Sequence, residues 1–114
     1  MASIGTREPE HDHFWDLAEP HLASGRVVEG SMMGQQCLRT ARTNGFVATV
    51  ERATGRVVLK LPKARVAEMV EAGIGQAFAP AGKVFREWVS IAEIDEAGWN
   101  ELLDESIEFV DGTS

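Results

Sequence analysis

The chain lacks a second cysteine. Cys37 stands alone among 114 residues, so no internal disulfide can form, and the setting implied is a reducing one. Also missing is any apolar run near the roughly 20 residues a membrane helix needs. Met1 to Pro9 shows no apolar stretch behind a basic start, so no secretory leader is expected and a cytoplasmic location is the expectation. The glycines at Gly30 and Gly34 have no Gly-Lys-Ser/Thr behind them, so they do not make a phosphate loop. Internal repeats and low-complexity segments are absent. Bases stop at Arg86: Glu87 to Ser114 carries nine acids and no lysine or arginine.

What is present suits one folded domain. Hydrophobic residues make up 44% and charged residues 25% of the chain, ordinary for a globular protein. A chain of this length buries roughly two thirds of its unfolded surface without staples. Residues 1–10 are polar and aperiodic, and a disordered tail is expected there. Residues 11–112 are expected to form the single domain.

The net charge of −7 argues against indiscriminate nucleic-acid binding, yet it hides an asymmetry. Nine bases lie between Arg39 and Arg86 (Arg39, Arg42, Arg52, Arg56, Lys60, Lys63, Arg65, Lys83, Arg86) against only Glu51, Glu68 and Glu71. Both flanking segments are acidic. Either the acidic ends fold over the basic middle and neutralise it, or a basic sheet face attracts an acidic partner.

Periodicity orders the elements. Phe14, Trp15, Leu17, Ala18 and Leu22 recur at helical spacing behind Asp12, with Pro20 a point where the helix kinks or ends and Ser24-Gly25 its stop. Val27-Val28 reads as a short strand or extended loop. Strands are expected over Cys37–Ala41, Gly45–Glu51 and Arg56–Leu61. In the second, Phe46, Ala48 and Val50 share one face; in the third, Val57, Leu59 and Leu61 do. Asn44-Gly45 and the Gly55 loop supply the turns, so pairing should be antiparallel. Pro62 opens a helix whose apolar face is Val66, Met69 and Val70 and whose end is Gly73. Ile74 to Gly82 reads as a loop and Val84 to Ile91 as a strand, with Phe85, Val89 and Ile91 on one side. A last helix, capped by Asp95, buries Trp99, Leu102, Leu103, Ser106, Ile107 and Val110. The fold class is therefore α+β, a two-layer arrangement with a mostly antiparallel sheet.

Few side chains suggest chemistry. His11-Asp12-His13 with His21 lacks the i, i+4 spacing of ligands on one helix face and reads as polar residues at a helix start. Cys37 has no histidine near it in sequence and reads as a structural cysteine. The C-terminal carboxylates fall on the solvated side of a helix. No metal or cofactor is called for. Phe78, Phe85 and Trp88 with Lys83 and Arg86 form the most distinctive group. Such a group can stack bases and hold phosphates, but the expectation is that the aromatics pack into the sheet–helix core with the two bases at its rim.

The segment from Gly30 to Val110 resembles the MmcQ/YjbR-like and TfoX (Sxy) N-terminal-domain group of small bacterial proteins. The likeness is carried by Gly30-Ser31-Met32-Met33-Gly34, Asn44-Gly45-Phe46-Val47-Ala48 and Gly55 to Pro62. It continues through the helix Arg65 to Gly73, Phe78-Ala79-Pro80 with Gly82-Lys83, Arg86-Glu87-Trp88-Val89, and the helix containing Trp99 and Leu102-Leu103. It departs at Phe46, where a lysine is common, and at Met32-Met33-Gly34-Gln35, where an aromatic or second glycine is common. The resemblance implies helices packed on a sheet of about five strands in the order α-β-β-β-α-β-β-α, and a family described as DNA-binding or linked to competence regulation.

Three functions follow, in order of preference. The first is a non-enzymatic binding or regulatory module whose partner is a protein, including a second copy. The second is a DNA-associated regulator using Arg39, Arg42, Arg52, Arg56, Lys60, Lys63, Lys83 and Arg86 as phosphate contacts. The third is a small-molecule binder or an unrecognised enzyme. No membrane partner is expected.

Overall fold

The computed structural model describes residues 12–32, 35–51, 54–79 and 82–112. The expected tail over 1–10, together with His11, Gly34 and Arg52, lies outside the described residues.

The chain runs α1 (Asp12–Ala23), β1 (Val27–Met32), β2 (Gln35–Thr40), β3 (Phe46–Val50), β4 (Val57–Lys60), α2 (Lys63–Glu71), β5 (Gln76–Phe78), β6 (Phe85–Ile91) and α3 (Glu96–Asp111). The α+β class is as expected. Among the described residues the sheet has six strands rather than about five, because Val27–Met32 pairs along its full length with β2 and the stretch expected as a loop after α2 contains β5. The sheet order is β1-β2-β3-β4-β6-β5, and every neighbour pair is antiparallel. Short turns explain this order: Asn44 takes φ 63° and Gly55 φ 75°, the left-handed values tight reversals demand.

Helix ends follow local chemistry. Asp95 caps α3 by accepting from the Gly98 amide at 2.8 Å, and Gly112 closes it at φ 69°. Glycine reaches that conformation without the Cβ clash. Gly73, at φ 78°, follows α2 in the same way. Helix α1 continues through Pro20 to Ala23, so the proline neither ends it nor stops its apolar side from meeting the core.

Leu38, Ala48, Leu59 and Val89 stand side by side across β2, β3, β4 and β6, and all four belong to one core with Phe14, Val66, Met69, Trp99 and Leu103. Helix α1 lies against β1, α3 against β2 to β4, and α2 against β5 and β6. Trp99 is fully buried and meets Phe14 edge-on with ring centres 5.6 Å apart. Fully burying such large side chains contributes roughly 1.5–3 kcal/mol each, so the buried stripe of α3 helps hold the sheet.

Two irregularities shape the other side. Between Leu38/Arg39 of β2 and Ala48/Phe46 of β3 the register slips by one residue. A bulge of this kind turns a side chain from one face to the other. Phe46 therefore does not share a face with Ala48 and Val50, as strict alternation implies. It is buried apart from the sheet–helix cluster and stacks on Trp88. A second slip separates Ala77↔Val89 from Phe78↔Phe85.

Candidate functional site

The aromatic residues of β5 and β6 form a row outside the sheet–helix core, contrary to the expectation that they pack into it. Phe46 stacks on Trp88 at 4.6 Å and Trp88 on Phe78 at 5.3 Å, both pairs within 20° of parallel. Phe85 closes the group, 5.1 Å from Trp88 and 5.8 Å from Phe78. Rings stacked on one another use part of their π faces within the row. That geometry suits an apolar contact better than it suits base stacking.

Phe85 also walls a groove of about 470 Å³ between α2 and the β5–β6 edge, which Val66, Ala67, Val70, Ala77 and Val84 line. Val70 is 39% and Val84 52% exposed. The sequence places Val70 on the buried face of α2, but only Val66 and Met69 are buried there. The helix sits over β5 and β6 near the sheet margin, where the sheet covers too narrow a stripe to include Val70. Ile74, 55% exposed, follows α2. Isolated exposed valines are ordinary on a surface, but two facing each other across a groove make a patch that favours docking.

The basic residues divide between two roles. Arg39 lies across Gly30, where a Cβ would meet its Cδ at 2.6 Å. Its guanidinium donates to the Asn44 carbonyl at 2.8 Å and the Ser31 carbonyl at 3.0 Å. Arg56, at the far end of β4, donates to Ser90 Oγ at 2.7 Å and to the Ser90 carbonyl at 3.0 Å. These two side chains tie the sheet together. Arg42 belongs to the β2–β3 turn beside Asp111, whose carboxyl is held below the ordinary value first by the Thr43 hydroxyl at 2.6 Å and then by Thr40 and the Arg42 charge. Lys60 lies 3.9 Å from Glu87. Lys63, Lys83 and Arg86 gather at the groove instead. Lys63 and Arg86 line it together, and Lys83 Nζ stands 5.8 Å from the centre of the Phe85 ring, within cation–π range. Arg52 lies outside the described residues.

The acidic C-terminal segment meets the basic middle only in part, through Lys60 near Glu87 and Arg65 on Glu105 at 2.9 Å. Arg65 also bridges Glu68 at 3.2 Å, and Arg26 pairs with Asp104. The Arg65–Glu105 contact binds α2 to α3. Among the described residues, no ion pair engages Lys63, Lys83 or Arg86.

His13 bonds the Ile94 carbonyl at 2.8 Å, and His21 lies in the helix layer between Asn100 and Arg26. Cys37 is buried. Burial pushes its thiol up, and Arg39 pulls it only part of the way back, so it stays protonated near neutrality and is a poor nucleophile. Among the described residues, no three His, Cys, Asp or Glu side chains come together as a metal site, and no helix is long and apolar enough to cross a membrane. No family model, curated protein or solved structure matches the chain.

Proposed function

We propose that the protein is a non-catalytic binding module of the MmcQ/YjbR–TfoX type whose partner is a protein, docked at the corner formed by α2, β5 and β6. The observation that carries this is the facing of Val70 and Val84, both more than a third exposed, across a groove whose wall is Phe85. Covering these three side chains offers roughly 3–5 kcal/mol at ordinary burial values. After the cost of association, that supports a transient partner more readily than a permanent one. A photo-crosslinking residue at position 84 should give a discrete adduct in an extract of the native host. The same residue at position 28, an exposed valine on the opposite edge strand β1, should not. Equal labelling from both positions, or none from 84, would refute the docking role.

A second reading, DNA association, draws on the gathering of Lys63, Lys83 and Arg86 beside Phe85 and Trp88. Each phosphate neutralised makes binding weaken steeply with salt. Loss of all DNA retention at about 20 mM salt would remove that reading.

A further inference from the structure

We infer that the occupant of the α2/β5–β6 groove is an acidic amphipathic segment of a different protein, an inference that rests on the docking role proposed above. The groove has an apolar floor and an unneutralised cationic rim. Val66 and Val70 stand one helical turn apart on α2 and face Val84 and Phe85 across the gap. An occupant must therefore present apolar side chains at a matching spacing. At the beginning of α2, Lys63 and Arg86 line the same groove without an ion-pair partner among the described residues, with Lys83 over the Phe85 ring. At the other end of α2 stands Glu71. The charge gradient orients the occupant: its carboxylates lie toward Lys63 and Arg86, away from Glu71.

Competing occupants fit less well. A second copy docked groove to groove about a two-fold axis would set the same cationic rim against itself. Nucleic acid matches the rim, but its phosphates have no use for a floor of valine and phenylalanine side chains. An acidic segment is repelled at long range by a chain of net charge −7, yet at physiological salt that field fades over roughly 8 Å. Once the segment is in contact, the local cations of the groove decide.

The test uses the full chain and two labelled peptides of roughly 14 residues, about 21 Å long when helical. Both carry leucines at i, i+3, i+4 and i+7; one has glutamates at the flanking positions and the other has lysines. Fluorescence anisotropy should show the glutamate peptide binding at least about tenfold tighter than its twin, with the preference shrinking as salt rises from about 50 to 300 mM. Val84→Glu should weaken it by about tenfold or more, and so should the surface double variant Lys63→Glu/Arg86→Glu, with circular dichroism confirming that both fold. Val28→Glu should leave binding unchanged. Equal affinity of the two peptides, both sensitive to Val84→Glu, would overturn the acidic occupant while leaving the docking role intact. Failure of both peptides to bind would overturn the inference and, if position 84 also gives no crosslink, the docking role with it. Light scattering that shows a dimer abolished by Val84→Glu would assign the groove to a second copy and overturn the inference as well.

Discussion

Replacing Trp99 separates two contributions that the core combines. The indole is fully buried against Phe14 and His21, so Trp99→Ala leaves a large void under α3 and should cost about 3–5 kcal/mol. Among the described residues, however, its Nε1–H finds no acceptor, and an unsatisfied buried donor carries a penalty of about 1–3 kcal/mol. Trp99→Phe removes that donor while keeping most of the ring, so the two effects partly cancel and the net loss should stay below about 2 kcal/mol. Typical domains hold only about 5–15 kcal/mol in total, so the alanine variant should be severely weakened and the phenylalanine variant only modestly. Urea unfolding followed by circular dichroism measures both. Midpoints for Trp99→Ala and Trp99→Phe that coincide would refute the separation. An alanine variant within about 1 kcal/mol of the parent would refute the buried placement itself.

Three further predictions concern the seams around α3. A Cβ on Gly45 runs into Val110 Cγ1, so Gly45→Ala forces Val110 off its rotamer or lifts the last turn of α3 and should destabilise by about 1–3 kcal/mol; an unchanged urea midpoint would contradict the contact. Arg26 can only donate, so His21 Nδ1, 3.1 Å away, must accept, which leaves Nε2–H to donate to Asn100 Oδ1 at 2.8 Å. Long-range nitrogen–proton correlation spectra at neutral pH should show the Nε2–H tautomer, and a proton on Nδ1 would refute the arrangement. Asp111 has its carboxyl lowered in the fold, chiefly by the Thr43 hydroxyl. Its contribution to stability is therefore present above the ordinary value of 3.8 and is lost as pH falls through the lowered folded value. Thr43→Val should move Asp111 back toward 3.8 in a carbon-detected carboxyl titration, and an unmoved Asp111 would count against the Thr43 bond.

Much of the fold was legible because burial leaves a period. The stripe Trp99, Leu102, Leu103 and Ser106 appears as four buried positions of α3, bounded by a capping aspartate and a left-handed glycine that are local signals. The β3–β4 hairpin was legible for the same reason. Features set by neighbouring chain segments were not. The bulge that turns Phe46 toward Trp88 depends on how β2 meets β3, and strict alternation contains no trace of it. β5 is a three-residue edge strand with two exposed positions, so it carries too little apolar pattern to stand out from a loop. Val70 sits at a core position of the helical repeat and Val84 just ahead of β6, yet both are exposed. Only the position of α2 near the sheet margin explains the first. Their pairing across the groove is a tertiary fact, and the candidate site was correspondingly less readable than the scaffold. Sequence reasoning found Phe78, Phe85, Trp88, Lys83 and Arg86 as a group but set the aromatics inside the core.

The exposed apolar corner is the premise of the functional account, and a soluble paramagnetic agent tests it in the free protein. Methyl resonances of Val84, Ile74 and Val70 should broaden strongly as the agent is added, while those of Val66, Val89 and Leu103 stay sharp. Val84 and Val70 methyls as sheltered as that of Val66 would contradict the account.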